Sequence, residues 1–379
     1  MNMQLSRRHF IQAGLAGTAL GLSGCSNFSL SSQEQAQATV SKGPLALNFN
    51  ENPLGIPSSA REAIMQHMGE AHLYPDSARQ ALLKRLASYH GVSQEQLIYG
   101  NGSSEVLKFA IDAMASAHCQ LVMPKPTFDI VADYAKARGL KVTEVPLTAE
   151  LQTDIAAMQA AVAAHSGPSI IYLCNPNNPT GLLLPKAPVA QWLAKASPEL
   201  QFIIDEAYGE YAGSDFQSAL PFIQNGLKHT VLTKTFSKAW GMAGLRAGYA
   251  IAAPEMIAAM QAQASFDNAN LFALYGAAAV LDDSAWLAQT LSNNLEAGAI
   301  IIATLKQLGL DYLPLNASFI FHRIKGNNED YRKQMQQAGI LVGRTFPGLE
   351  GWNRLTLGTP TQMQRVAKEM QRLRLEGLL

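Results

Sequence analysis

Five short apolar runs, set apart by stretches of helical periodicity, constrain this chain more than anything else in it. They cover residues 97–99, 120–123, 169–173, 201–204 and 230–232. Runs this brief and this nearly apolar throughout are the mark of strands buried on both faces. Residues 61–68 and 78–90 read as helices. Strands spaced by helices predict an α/β domain whose mostly parallel sheet is flanked by helices. Such sheets take ligands outside the carboxyl ends of their strands, and the chemically suggestive residues of this chain follow those ends. From about Phe266 the pattern turns helical, then strand-like over 318–322 and 354–357. This predicts a second, smaller α+β domain.

The chain is long enough for both. Its 379 residues, 48% of them hydrophobic, can bury a large core. Twenty-nine basic residues balance 29 acidic ones, so no general attraction to nucleic acid or an anionic membrane surface is expected. Cys25, Cys119 and Cys174 are too few for a disulfide framework and too far apart for a zinc site. Cys119 and Cys174 lie in apolar contexts and read as buried thiols.

The amino terminus reads as an export signal. Ser6-Arg7-Arg8-His9-Phe10-Ile11 is a basic head, and a mild apolar stretch follows to about Leu22. That stretch is too short and glycine-rich for a membrane-spanning helix. The paired arginines before Phe10 resemble the twin-arginine class of signals. Leu22-Ser23-Gly24-Cys25 resembles a lipobox, which would make Cys25 the lipidated first residue of a periplasmic, membrane-anchored protein. Ala36-Gln37-Ala38 is a rival cleavage site, but it lies far from the apolar run. The stretch rich in Ser, Gln and Ala after Cys25 reads as a tether.

Four segments carry the candidate chemistry. The run 201–204 ends in Asp205, with Tyr208 three residues on. A carboxylate there suits a metal, a helix cap or a cation. The run 230–232 leads into Thr235, Ser237 and Lys238, then Gly241, Gly244, Arg246 and Gly248. A lysine in desolvating, cationic surroundings can lose its proton near neutral pH, as an imine-forming amine must. Asn175-Pro176-Asn177-Asn178-Pro179-Thr180-Gly181 makes a turn rich in amides. Gly100-Asn101-Gly102-Ser103-Ser104 opens a helical stretch whose free N–H groups suit a phosphate, and the same residues fit a simple cap.

Taken in order, these segments resemble the fold-type I pyridoxal-phosphate (PLP) aminotransferases, and the histidinol-phosphate aminotransferase group in particular. Leu47-Asn48-Phe49-Asn50-Glu51-Asn52-Pro53, Tyr74-Pro75-Asp76 and Asp205-Glu206-Ala207-Tyr208 add to the likeness, which runs from about residue 47 to 358. The resemblance implies that Lys238 forms a Schiff base with PLP and later carries the proton between substrate and cofactor. It implies that Asp205 pairs with the pyridine nitrogen, that Asn178 and Tyr208 bond the ring oxygen, and that Phe128 stacks on the ring. Ser103, Ser104, Thr235, Ser237 and Arg246 would hold the phosphate. Tyr74 would reach the phosphate of a neighbouring subunit in a homodimer. Arg354 would grip the substrate carboxylate, and Arg344 its distal group. The substrates implied are an amino acid, or an amino phosphate such as histidinol phosphate, and a 2-oxo acid.

The expected organisation is then an export signal over 1–24, a tether over 25–46 and an N-terminal arm over 47–74. A large PLP-binding domain would follow over 75–265 and a small C-terminal domain over 266–379. Two departures from the histidinol-phosphate pattern stand out: residues 26–48 contain no tyrosine, and Ser318 replaces an asparagine. An exported enzyme would also be separated from cytoplasmic histidine biosynthesis. A PLP decarboxylase, racemase or lyase, or an exported binding protein that kept the fold, are the alternatives the motifs leave open.

Overall fold

The structure, a computed structural model, describes residues 43–379. The export signal, Cys25 and most of the tether therefore lie outside the described residues. The large sheet is built from β2 (Leu97–Gly100), β3 (Gln120–Lys125), β4 (Lys141–Pro146), β5 (Ser169–Cys174), β6 (Leu200–Asp205), β7 (Thr230–Thr235) and β8 (Gly248–Ile251). Their spatial order is β2-β8-β7-β6-β5-β3-β4. Only β8 runs against its neighbours; the remaining pairings are parallel. The α/β class with a mostly parallel sheet is thus as expected.

Strands β5, β7 and β8 are buried along their whole length, because helices cover both faces. Alternate side chains enter opposite cores. Ile171 and Leu173 join Leu82, Leu86 and Trp192 on one face, on helices α2 (Asp76–His90) and α6 (Lys186–Leu193). Ile170 and Tyr172 join Val106, Leu107 and Val131 on the other, on α3 (Ser103–Met114) and α4 (Ile130–Ala137). Each such side chain contributes about 1.5–3 kcal/mol on full burial. The helix caps follow ordinary rules: α2 ends at Gly91 in the left-handed region, φ 61°.

All five apolar runs are strands. Strands β4 and β8 were not anticipated. The edge strand β4 shows only partial burial, so its Lys141, Thr143 and Glu144 hide the apolar pattern. The stretch at β8 is glycine-led and short, and reads as a loop.

A separate core gathers Leu47 with Ile301 and Leu305, Ile320, Leu355, Met363 and Val366. Its elements are α10 (Ser284–Leu308), the antiparallel pair β9 (Phe319–Arg323) and β11 (Trp352–Thr356), and α12 (Pro360–Leu375). Strand β1 (Leu45–Ala46) pairs in parallel with β10 (Ile340–Leu341). It delivers residues 48–51 to the end of the large sheet. Helix α9 (Leu271–Val280) instead packs on α1 (Ser58–Gln66) and α2, in the first core.

Candidate active site

The carboxyl ends of β5, β6 and β7 open on a cavity of about 520 Å³. Ser103, Ser104, Phe128, Asn178, Asp205, Tyr208, Thr235, Ser237, Lys238, Arg246, Arg344 and Arg354 all line it. Tyr74 does not line it and is 78% exposed.

One end of the cavity is a cradle for an anion. Helix α3 starts here with Gly102 at its cap, φ 87°, and no side chain bonds its first-turn N–H groups. Those donors and the helix dipole favour negative charge. Glu105 turns back to accept the Asn101 N–H at 2.7 Å and is absent from the lining. Arg246, held in the left-handed region at φ 62°, donates to Ser237 Oγ at 3.4 Å and to the Ala243 carbonyl at 2.9 Å. Thr235 Oγ1 and Ser237 Oγ are 3.0 Å apart. A Cβ on Gly102 would strike the Arg246 guanidinium, and one on Gly248 would strike the Ser103 backbone. Two glycines therefore bring the helix start and the arginine together.

Behind the cradle, Asp205 ends β6 and is 2% exposed. Tyr172 Oη donates to it at 3.0 Å and the Ala207 N–H at 3.1 Å. Burial raises its pKa, against the opposing charge of Lys238, and among the described residues no cation lies within ion-pair distance of it. Lys238 is partly open to the cavity. Its amine donates to the Phe49 and Asn50 carbonyls at 3.1 and 3.2 Å. Burial, with Arg354 and Arg246 nearby, lowers its pKa to about 8. A neutral, nucleophilic amine is thus accessible near physiological pH.

The far wall belongs to β11. Arg354 donates to Asn178 Oδ1 at 2.6 Å and to the Asn48 carbonyl at 2.7 Å. Its guanidinium lies over Phe319 and Phe346, 5.6 and 5.7 Å from the ring centroids. Its Nε is buried without a partner. Tyr208 is buried against Phe319, and burial pushes its pKa up to about 12. At the mouth, Arg344 pairs with Asp129 at 2.9 Å and stacks on Phe346.

The sequence pattern of the class I and II aminotransferases matches residues 42–370. The chain belongs to this family. A histidinol-phosphate aminotransferase of Moorella thermoacetica is 33% identical over 335 residues, which is 88% of this chain and 86% of the relative. A crystal structure from Erwinia carotovora atroseptica SCRI1043, provisionally named histidinol-phosphate aminotransferase, is 39% identical with a TM-score of 0.87. It covers 89% of this aminotransferase and 97% of its own chain. The histidinol-phosphate aminotransferase of Sinorhizobium meliloti, solved with pyridoxal-5'-phosphate, shares the fold at 24% identity and a TM-score of 0.80. It covers 88% of this chain and 92% of its own.

The aminotransferase is PLP-dependent, and the cavity fits that group. The glycine-spaced cradle suits its phosphate, and the buried Asp205, short of a cation, suits its ring nitrogen. When bound, the cofactor supplies an aldehyde that condenses with amines and a ring that takes up electrons from the substrate α-carbon.

Sequence reasoning missed several lining residues. Asn48, Phe49, Asn50 and Glu51 line the cavity, although that segment served only as a marker of likeness. Arg332, on the polar helix α11 (Asn328–Gln337), also lines it. Its sequence context is that of any solvated helix face. Cys174 is a buried free thiol as expected, and it too reaches the lining.

Proposed function

We propose that this aminotransferase moves an amino group between an amino acid, or an amino phosphate such as histidinol phosphate, and a 2-oxo acid. Lys238 is the covalent anchor and the proton carrier. The observation that carries this reading is that its amine opens on the same cavity as Asp205, Arg246 and Arg354, where burial lowers its pKa. Asp205 holds the ring nitrogen's proton in place. Asn178 and Tyr208 donate to the ring oxygen, and Phe128 covers the ring face. The α3 start at Ser103 and Ser104, with Thr235, Ser237 and Arg246, holds the phosphate.

Arg354 receives the substrate carboxylate, since its buried Nε has no other partner. A forked grip fixes which bond at the α-carbon faces Lys238. Arg344 meets the distal group by exchanging Asp129 for it. Tyr74 lies exposed outside its own cavity, which supports its serving the partner subunit of a homodimer. Arg7-Arg8 and the Leu22–Cys25 segment support export and a lipid anchor on Cys25.

Single amino acids added to the purified protein should convert the cofactor band to that of its amine form. Borohydride trapping should leave a pyridoxyl adduct on Lys238; an adduct elsewhere defeats the assignment. Arg354→Lys should lower kcat/KM by about 10²-fold through loss of a charged, forked hydrogen bond, with an unchanged value as the contrary result. Palmitate labelling that persists in Cys25→Ala would end the anchor proposal.

A further inference from the structure

The segment 48–50 touches more of the site than any other missed stretch, and Asn50 is its hub. Asn50 is 1% exposed and sits at φ 56°, a region that asparagine enters more readily than other side-chain-bearing residues. Its main-chain N–H donates to Thr356 Oγ1 at 3.0 Å. That hydroxyl in turn donates to Asn50 Oδ1 at 3.0 Å. The acceptor side of the amide is therefore taken, and Nδ2 donates to Tyr208 Oη at 2.9 Å. The Asn50 carbonyl meanwhile accepts from the Lys238 amine.

We propose that Asn50 is a positioning residue for the reaction: its amide sets the Tyr208 hydroxyl as a donor into the cavity, while its main chain steadies the Lys238 amine. The argument is one of direction. A phenolic oxygen that accepts from Nδ2 keeps its own proton free to point elsewhere, and a donated bond strengthens the next in the chain. The same logic operates on the other side. Asn178 spends its oxygen on Arg354, which leaves its NH₂ for the cavity. Arg354 and Thr356 stand two apart on β11, so one strand sets the polarity of both donors. Turning the Asn50 amide over would put two N–H donors on Thr356 Oγ1. Tyr208 would then spend its proton on Asn50.

A donor at the ring oxygen stabilises the oxygen's anionic form and so lowers the proton affinity of the lysine–cofactor linkage. The charged and titratable groups near Tyr208 and Lys238 are Arg354, Arg246, Glu51, Asp205, Cys174 and Tyr211, and none of them changes in the variants below. Asn50→Asp adds a charge of its own that acts in the same direction, so the uncharged variants Asn50→Gly and Thr356→Val separate the hydrogen bond from the charge. The inference rests on the cofactor binding at Lys238. The test is the pH midpoint of the bound cofactor's visible band. Asn50→Asp offers only acceptors, takes the Tyr208 proton, and should raise the midpoint by about one unit or more, the worth of one hydrogen bond to a charged group. Asn50→Gly keeps the positive φ without strain and should raise it by less. In a Tyr208→Phe background, Asn50→Gly should add nothing. Thr356→Val, which frees Oδ1, should shift the midpoint in the same direction if Asn50→Asp does not fold. An Asn50→Asp midpoint equal to wild type overturns the proposal, as does an Asn50→Gly shift that survives Tyr208→Phe. A wild-type protein with no band would remove the cofactor assignment along with it.

Discussion

Two lysine–carboxylate groups sit at the ends of the same two strands, their acids adjacent in sequence and their lysines four residues apart. Asp205 and Glu206 are consecutive, and so are Lys234 and Thr235, which leads to Lys238. Side chains alternate across a sheet, so one set faces the cavity and the other the packed interior. The interior set is closed. Lys234, 9% exposed, lies 3.1 Å from Glu210 and 3.5 Å from Glu206. Glu206 also accepts from Ser218 and the Ala219 N–H. Burial works against the Lys234 ammonium, but the two glutamates outweigh it and its pKa rises. In the cavity set, Asp205 and Lys238 act on each other only at longer range, the amine bonding carbonyls, so burial, helped by Arg354 and Arg246, wins and the lysine pKa falls. Burial raises both carboxylates, and it is the two lysines that part. The same residue types become scaffold or reagent according to whether their charges are already answered.

The sharpest way to break this contrast is to remove each lysine. Lys238→Ala should cost at least about 10⁴-fold in turnover, the upper range for an acid–base group, and abolish the cofactor band. Its cofactor-free stability near neutral pH should hold or rise, because burial penalises the Lys238 ammonium. Lys234→Met should do the reverse, costing about 3–5 kcal/mol in denaturant unfolding by stranding the buried Glu206 and the half-buried Glu210, with the band intact. A band lost in both would erase the distinction.

Exchanging the acids is a smaller test. Asp205→Asn should lower kcat by about 10²–10³-fold, as loss of a preorganised electrostatic partner does, with stability equal or higher. Glu206→Gln should cost about 1–3 kcal/mol of stability and leave kcat nearly unchanged. Similar kinetic losses in both would count against the contrast.

The smallest effect is in pH. Lys238 has a lowered folded pKa, so the native state sheds a proton first. Between about pH 8 and the ordinary lysine range near 10.4, the unfolded chain binds more protons and stability rises with pH. Cofactor-free wild type should therefore gain on Lys238→Met across that window. The Lys234 contribution has the opposite sign: it is full below the ordinary lysine pKa and is lost as pH climbs through its raised folded value. Parallel slopes for the two lysines would refute the assignment.

Much of this was legible in the sequence because physics left it there. The central strands must be apolar on both faces, so the runs at 169–173 and 201–204 stand out. The polar residues at their carboxyl ends then mark the cavity. The resemblance supplied roles for Lys238, Asp205 and Arg354, and the structure brings all three to one cavity. What stayed hidden is long-range and directional. Nothing near Asn50 in the sequence points to Thr356, and the hydrogen-bond sense at Tyr208 is a property of three segments together. Arg332 was invisible because a charged residue on a polar helix carries no mark of what it faces. Strand β4 was hidden by the wetness of its edge.

The glycines at 102 and 248 have a last consequence. They act as a gauge of zero thickness between two loops nearly 150 residues apart in the chain. A methyl group at 248 would press on the Ser103 backbone, and one at 102 would displace the Arg246 guanidinium, so either would disturb the grip on a small tetrahedral anion. The size of what can be held at this end is therefore dictated by side chains that are missing, and a hydrophobic-to-polar survey of the sequence would pass over both positions.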